Sequence, residues 1–432
     1  MALRDILDRQ ANTIEYILHT HGIKASIDGG KLSPRLAHFH VVLPPGVRAA
    51  QLSPLVPELS DALGVAACRL SPGGEGGVYV EVPRPDPVPV RLLSLVQRVA
   101  DVVPPTTATL GLDTDATPLL LRLNAADVDP VLVTGNPGSG KSRLLRGIAM
   151  SLALHNSPDR LKLLLLDASG EGAAFRGLDT LPHLACPVAV SPVDTVVSLR
   201  WAMRALARRD ASAPRQDAGV EDGEELFFED EPAFPPTGER GYGGPGEEPA
   251  LVVLIDGAES LAAGPHGRAN TEAVQAIERL AAAGNRHGIH MVVASERPDI
   301  DLNVDWGARI TGIILSSELA RIATGMKGSG AQGLLGSGDF LISLNAELIR
   351  FQAAGATSAD VARAADLITN WAASQLTGPA ARQPRAAQPE PGRPYDEAPP
   401  SPQQRREGTP TPRRAEEHAP EPVPLRRVWA GE

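Results

Sequence analysis

Two cysteines, Cys68 and Cys186, are all that this chain of 432 residues contains. That excludes a disulfide framework and a zinc site built on thiolates. Aromatic residues make up only 3% of the sequence, and alanine, leucine, valine and glycine dominate instead, a balance that suits stacked helices and buried parallel strands better than a β-sandwich. No apolar run approaches the roughly 20 residues of a membrane helix. The opening segment, Met1 to Gly22, interleaves Arg4, Asp5, Asp8, Arg9 and Glu15 with apolar positions, so it reads as an amphipathic helix and not as a signal peptide. The expectation is a cytoplasmic protein with no membrane insertion.

The formal charge of -11 is unevenly spread. Between Asp210 and Glu248 stand twelve acidic residues against two arginines, which accounts for ten of those eleven negative charges. The acidity therefore belongs to one insert, residues 210–249, and the remainder of the chain is close to neutral. The insert mixes its acids with Gly, Pro, Phe227, Phe228, Phe234 and Tyr242. It reads as a flexible, solvated loop; two sharper readings are a phosphate-mimicking flap and a docking segment for a protein partner.

Three parts follow from the patterning. Residues 1–105 form a small α+β domain: the first helix, a strand at His38 to Leu43, a Pro44-Pro45-Gly46 turn, a helix within Ala49 to Leu63, and strands at Ala66 to Leu70 and Val78 to Val82. Residues 106–375 change to short apolar runs, each ending in a polar or Gly-rich turn and each followed by a helical stretch. The runs are Val131 to Thr134, Leu163 to Leu166, Leu251 to Ile255, Met291 to Ala294 and Ile310 to Leu315, as expected for parallel strands covered on both faces. The fold class is α/β, a P-loop nucleotide-binding core with ligands gathered at the strand ends. Residues 376–432 are rich in Pro, Arg and Glu and poor in aliphatics, and are expected to form a disordered tail.

The chemistry is concentrated in Gly135-Asn136-Pro137-Gly138-Ser139-Gly140-Lys141-Ser142, which fits the P-loop (Walker A) pattern and stands between an apolar strand and a helix. In that setting backbone N–H groups surround phosphate oxygens, Lys141 reaches the β and γ phosphates of ATP, and Ser142 ligates magnesium. Asp256, at the tip of Leu251 to Ile255, is the candidate second magnesium ligand. An aspartate after an apolar run is by itself a turn or cap residue; the neighbouring P-loop is what favours the metal role.

These features sit within a longer resemblance. From about residue 10 to residue 375 the sequence resembles the FtsK/SpoIIIE family of DNA translocases. Beyond the P-loop it is carried by Leu181-Pro182-His183-Leu184, Leu199-Arg200-Trp201 with Arg208-Arg209, Gly288-Ile289-His290 before Arg297-Pro298, Ser316-Ser317, and Leu334-Leu335-Gly336-Ser337-Gly338-Asp339. Leu43-Pro44-Pro45-Gly46-Val47 looks like part of the small domain that precedes the motor in that family. The resemblance implies a RecA-like core, assembly with itself into a homohexameric ring, and ATP-driven movement along double-stranded DNA during chromosome segregation or transfer. It also matches Arg309 to an arginine that reaches the neighbouring subunit's ATP and places Arg350 near the same interface; for both, a plain salt-bridge arginine is the equal alternative.

Three departures accompany the resemblance. The family follows its magnesium aspartate with a glutamate that polarises the attacking water, and here Gly257 stands in that place. Glu296, where the family has a glutamine before Arg-Pro, is then the candidate replacement carboxylate, with Glu259 as its substitute. The segment Asp299 to Asp305 is acidic where a DNA-facing loop is neutral or basic, which leaves Arg268, Arg286 and Lys327 as candidate pore cations. Neither the winged-helix domain nor the membrane helices of many family members is expected, so any DNA binding would be indifferent to sequence. Besides an ATP-dependent translocase, the readings are a protein-secretion motor of the same ATPase family and a nucleotide-binding scaffold with degenerate hydrolysis.

Overall fold

The computed structural model describes residues 3–73, 77–212, 248–263, 267–376 and 426–428. Most of the acidic insert and nearly all of the tail lie outside these residues. The first part runs α1 (Leu3–Thr20), β1 (Ser26–Leu32), β2 (Leu36–Val42), α2 (Val56–Leu63), β3 (Arg69–Pro72) and β4 (Val78–Pro83). Its strands form an antiparallel sheet in the order β1-β2-β4-β3. Helix α1 is amphipathic as expected, burying Ile14, Ile17 and Leu18 while Tyr16 stays 70% exposed. Those side chains meet Phe39 and Val41 of β2, Leu59 of α2, and Val80 and Val82 of β4 in a core of their own.

The second part continues with α3 (Leu92–Val99), β5 (Thr107–Asp113), β6 (Pro118–Arg122), β7 (Val131–Thr134), α4 (Lys141–His155), β8 (Leu161–Asp167), α5 (Pro192–Ser212), β9 (Ala250–Asp256), α6 (Glu259–Ala263), α7 (Gly267–Ala283), β10 (Ile289–Ser295), β11 (Ala308–Thr311), α8 (Ser317–Thr324), β12 (Asp339–Leu344), β13 (Glu347–Ala353), α9 (Ser358–Leu376) and β14 (Arg426–Val428). One ten-stranded sheet, ordered β14-β6-β5-β13-β12-β11-β7-β10-β9-β8, gathers these strands. From β11 to β8 every pairing is parallel; four of these strands contain apolar runs legible in the sequence, while the run Ile310 to Leu315 is only partly strand, β11 covering Ala308–Thr311. On the other side, β12, β13, β5 and β6, which the sequence did not name as a group, extend the sheet by antiparallel pairing. Strand β14, within the tail expected to lack structure, pairs parallel with β6, using the unpaired backbone groups an outer strand offers.

Burial on both sides explains the continuous apolar strands. Along β9, Val252 and Leu254 face the layer of α3, α4 and α9, while Leu251, Val253 and Ile255 face the layer of α5 and α7. Strand β10 alternates in the same way, with Val292 and Ala294 on one side and Met291 and Val293 on the other. Each such aliphatic side chain contributes about 1.5–3 kcal/mol on burial.

The two sheets are joined through buried charge. Arg350 of β13 donates from Nε and Nη2 to Asp339 at 2.9 and 2.6 Å and also pairs with Glu81 of β4. Burial works against its charge, and the Asp339 and Glu81 carboxylates more than offset this, pushing the guanidinium pKa up. Arg350 is thus neither a free arginine at an interface nor a surface one. It is a buried tie between the small sheet and the large one, a role the sequence left undecided because its partner Glu81 lies 269 positions away.

Burial also lowers the pKa of His38, His155 and His183 to about 4. The folded values lie below the ordinary 6.5, so the unfolded chain takes up these protons first and stability present above pH 6.5 is lost as the pH falls toward 4. Urea unfolding between about pH 7 and 5 should show midpoints that decline with acidification, and His183→Asn should flatten that decline. Midpoints independent of pH would contradict the burial of neutral imidazoles.

Candidate functional site

Strand β7 is four residues long, fully buried, and flanked by β10 and β11. It releases the chain at Gly135, and α4 begins at Lys141. Gly140, the N-cap of α4, has φ +105 and no side-chain cap, so the first N–H groups of the helix are left for an external acceptor. Pro137 and Gly138 form the exposed lip of the loop, and a Cβ at Gly138 would meet nothing within 4 Å. Asn136 is anchored by its N–H to the Ile313 carbonyl at 2.9 Å, and the Ser139 N–H returns to the Asn136 carbonyl at 3.1 Å. The Ser139 hydroxyl is buried without a hydrogen-bond partner, as are the Thr134 and Thr311 hydroxyls at the adjacent strand tips. An open lip over backbone N–H groups and orphaned hydroxyls is a cradle that fits the phosphates of ATP.

Lys141 arches back over this loop. Its Nζ donates to the Gly135 carbonyl at 2.8 Å and the Asn136 carbonyl at 3.4 Å, and lies 3.4 Å from Glu296 Oε1. Glu296 follows β10, the strand between the P-loop strand and β9, and therefore stands directly beside the cradle. Its backbone N–H donates to Glu259 Oε2 at 3.0 Å, so both candidate replacement carboxylates lie at this edge.

Asp256 ends β9 two strands from the loop, with Ser142 beside its carboxylate. Burial pushes its pKa up; the Asp167 and Glu259 carboxylates add to that effect, and Ser142 and Lys141 oppose it. A buried carboxylate whose charge is disfavoured is what a bound cation relieves. Among the described residues no three His, Cys, Asp or Glu side chains form a metal cage, whereas magnesium needs only one or two carboxylates beside substrate phosphates. The donor pair Ser142 and Asp256 fits that ion.

Asp167 was missed by sequence reasoning. It closes β8 in register with Asp256, and the signal was available, because it ends the Leu163 to Leu166 run as Asp256 ends its own. Its oxygens are occupied by the Ser169 N–H at 3.2 Å, the Ser169 hydroxyl at 2.5 Å and the Ala174 N–H at 3.2 Å, so it shapes the neighbouring loop.

Two other positions differ from a simple picture of the site. Arg309 is not brought to the loop. It lies opposite Leu132 on β11, with its guanidinium donating to the Ile322 carbonyl at 3.4 Å, and burial lowers its pKa against the pull of Asp305. Gly257 has φ +69, and a Cβ there would lie 2.8 to 3.0 Å from the backbone N, Cβ and Cα of Ser169. The turn after Asp256 is thus built around the absence of a side chain.

Residues 101–300 match the profile of the FtsK/SpoIIIE family, and residues 2–84 match the FtsK alpha domain. The chain belongs to the FtsK/SpoIIIE family. Among its curated relatives are proteins named DNA translocase FtsK from Sporosarcina ureae, 26% identical over 354 residues, and from Bacillus cereus, 28% identical over 350 residues. These matches cover 78% and 77% of this chain but only 42% and 41% of the relatives. The chain therefore spans about two fifths of their length. The solved structure of the pCW3 conjugation coupling protein TcpA, in its monomer form with ATPγS, is 16% identical and covers 84% of this chain and 99% of that one at a TM-score of 0.51, a likeness of fold. The FtsK/SpoIIIE family is one of motor ATPases.

Lys141→Ala should abolish binding of a fluorescent ATP analogue, since no other described cation contacts the cradle carbonyls; retained micromolar affinity would refute the site. Gly257→Glu should lower stability by about 1–3 kcal/mol through the strained φ and the Ser169 contact, read by urea unfolding, and should not raise hydrolysis.

Proposed function

We propose that this FtsK-family chain is an ATP-driven motor on double-stranded DNA that works as a ring of identical subunits and grips DNA without regard to sequence. The observation that carries the reading is the convergence of Lys141, Ser142, Asp256 and Glu296 at one edge of a RecA-like sheet, in a chain whose relatives are named DNA translocases. In this reading the cradle Gly135 to Ser142 holds the phosphates, and Lys141 exchanges the Gly135 and Asn136 carbonyls for phosphate oxygens when ATP enters. Ser142 and Asp256 would hold magnesium, which would supply charge neutralisation for the phosphates. Ring assembly would let Arg309 act on a neighbouring copy's ATP, since within its own chain it is turned toward α8.

Glu296 is the water-positioning carboxylate in this mechanism. Position 257 offers no side chain and no room for one, whereas Glu296 already reaches Lys141 from the adjacent strand tip. Glu259 then serves as its support by accepting the Glu296 N–H. The wedge at Gly257 also favours a second reading, a scaffold that binds nucleotide without turning it over. Cation placement does not single out a DNA-gripping loop: Arg286 precedes β10 at the strand end away from the cradle, and Arg297 pairs with Asp299 on the surface.

ATP turnover measured with and without long duplex DNA separates these readings. Strong stimulation is expected for the translocase, with DNA affinity that falls steeply as salt rises and does not depend on sequence. Turnover that ignores DNA would point to a protein-secretion motor, and no turnover to the scaffold. Glu296→Gln should slow single-turnover hydrolysis by about a hundredfold, roughly 3 kcal/mol. Glu259→Gln, which can still accept the Glu296 N–H, should slow it far less. Equal rates for the wild type and Glu296→Gln would remove Glu296 from the mechanism.

A further inference from the structure

The segment Gly336 to Asp339, just before β12, lies against the back of the nucleotide cradle. Gly336, Ser337 and Gly338 have successive φ values of 66, 50 and 94. This left-handed turn aims two N–H groups at the P-loop: Ser337 donates to the Gly138 carbonyl at 3.1 Å and Gly338 to the Ser139 carbonyl at 2.8 Å. The two backbones approach so closely that a Cβ on Gly140 would lie 2.9 Å from the Gly338 nitrogen.

The same two peptide groups are held from their other side by the N-terminal part of the chain. Arg35, in the turn between β1 and β2, donates from Nη1 to the Gly336 carbonyl at 2.7 Å and to the Ser337 carbonyl at 3.3 Å. Its own carbonyl is fixed by the Arg84 N–H at 2.8 Å. The carbonyl of Gly336 and the N–H of Ser337 belong to one peptide, as do the carbonyl of Ser337 and the N–H of Gly338. Each of these peptides thus accepts from a guanidinium at one end and donates to a P-loop carbonyl at the other. A cation on the acceptor end polarises the unit and strengthens its donor end. In a trans peptide the C=O and N–H point in opposite directions. Holding the Ser139 carbonyl from behind therefore turns the Gly140 N–H forward, toward the cradle.

We propose that Arg35 is a positioning residue for the nucleotide: acting through the peptides 336–337 and 337–338, it sets the P-loop backbone and couples ATP occupancy to the seating of the β1–β2 hairpin on the motor sheet. The proposal rests on the reading of Gly135 to Ser142 as an ATP cradle. Arg350, tied to Asp339 and Glu81, keeps the start of β12 in place, the Leu335 N–H donates to Asp339 Oδ2 at 2.8 Å, and the turn's carbonyls also accept from the Asp339 N–H, Gln352 Nε2 and the Ala353 N–H, so Arg35 is the contact that ties this turn to the β1–β2 hairpin.

Hydrogen exchange of the full chain with and without ATPγS and magnesium, together with ATPγS affinity, tests this in the wild type, Arg35→Met and Arg35→Lys. In the wild type, ATPγS should slow exchange at Ser337 and Gly338 and also in residues 35–37 of the hairpin. Arg35→Met should weaken ATPγS at least about fivefold, the lower range of typical coupling between sites, and should erase the hairpin response. Arg35→Lys, which keeps one cationic donor, should recover part of both. A wild-type hairpin indifferent to ATPγS overturns the proposal without recourse to any variant, as does Arg35→Met with wild-type affinity and response. A wild type that does not bind ATPγS at all refutes the nucleotide reading instead.

Discussion

Everything at the nucleotide edge depends on strand β7 having no wet face. Val131 to Thr134 are buried on both sides and paired on both edges, so polar chemistry can appear only where the strand ends. The same holds for β9 and β10. Parallel pairing then places the three strand ends along one edge, and residues as distant in sequence as Lys141 and Glu296 meet there at 3.4 Å. The burial that stabilises the sheet is also what collects its reactive groups.

The parallel half of the fold was legible because, unlike β11 with Ala308-Arg309-Ile310-Thr311, β7, β8, β9 and β10 each hold an apolar run that ends in one polar residue. Such a pattern needs no knowledge of what packs against it. Strands β12, β13 and β5 carry Ser343, Arg350, Thr107 and Thr109 inside the protein, and their polar side chains break the runs. These are accommodated by particular partners: Ser343 donates to the Thr324 carbonyl at 2.8 Å, and the Thr109 hydroxyl is hydrogen-bonded with His155 Nε2 at 3.1 Å. Partners so far apart in sequence leave no local trace. Strand β1 was hidden for another reason, since Gly29 and Gly30 interrupt it and its pairing with β2 shifts register between Ile27 and Gly29.

The candidate site shows the same division. Gly135 to Ser142 were found from their motif, Asp256 from its strand tip and Glu296 from the family resemblance, and the structure brings them to one edge. The position of Arg309 two residues back from its strand tip, and the resting contacts of Lys141 with its own loop, required coordinates. So did the fate of Arg350, whose charge is tolerable inside the protein only beside both Asp339 and Glu81. A buried triad of this kind is weak as a source of stability and strong as a constraint on how two parts fit, because removing one member leaves an uncompensated charge.

The turn at Gly257 decides which residues the tip of β9 can accept. With Ser169 closed against position 257, a side chain placed there would bring its Cβ to 2.8 to 3.0 Å from Ser169, and the Ser169 loop would have to withdraw first. That loop is itself tied down by Asp167, through hydrogen bonds at 3.2 and 2.5 Å. Position 257 is therefore closed to larger residues by two linked contacts, so substitutions at this edge are easier at the tip of β10, where Glu296 is partly exposed, than at the tip of β9.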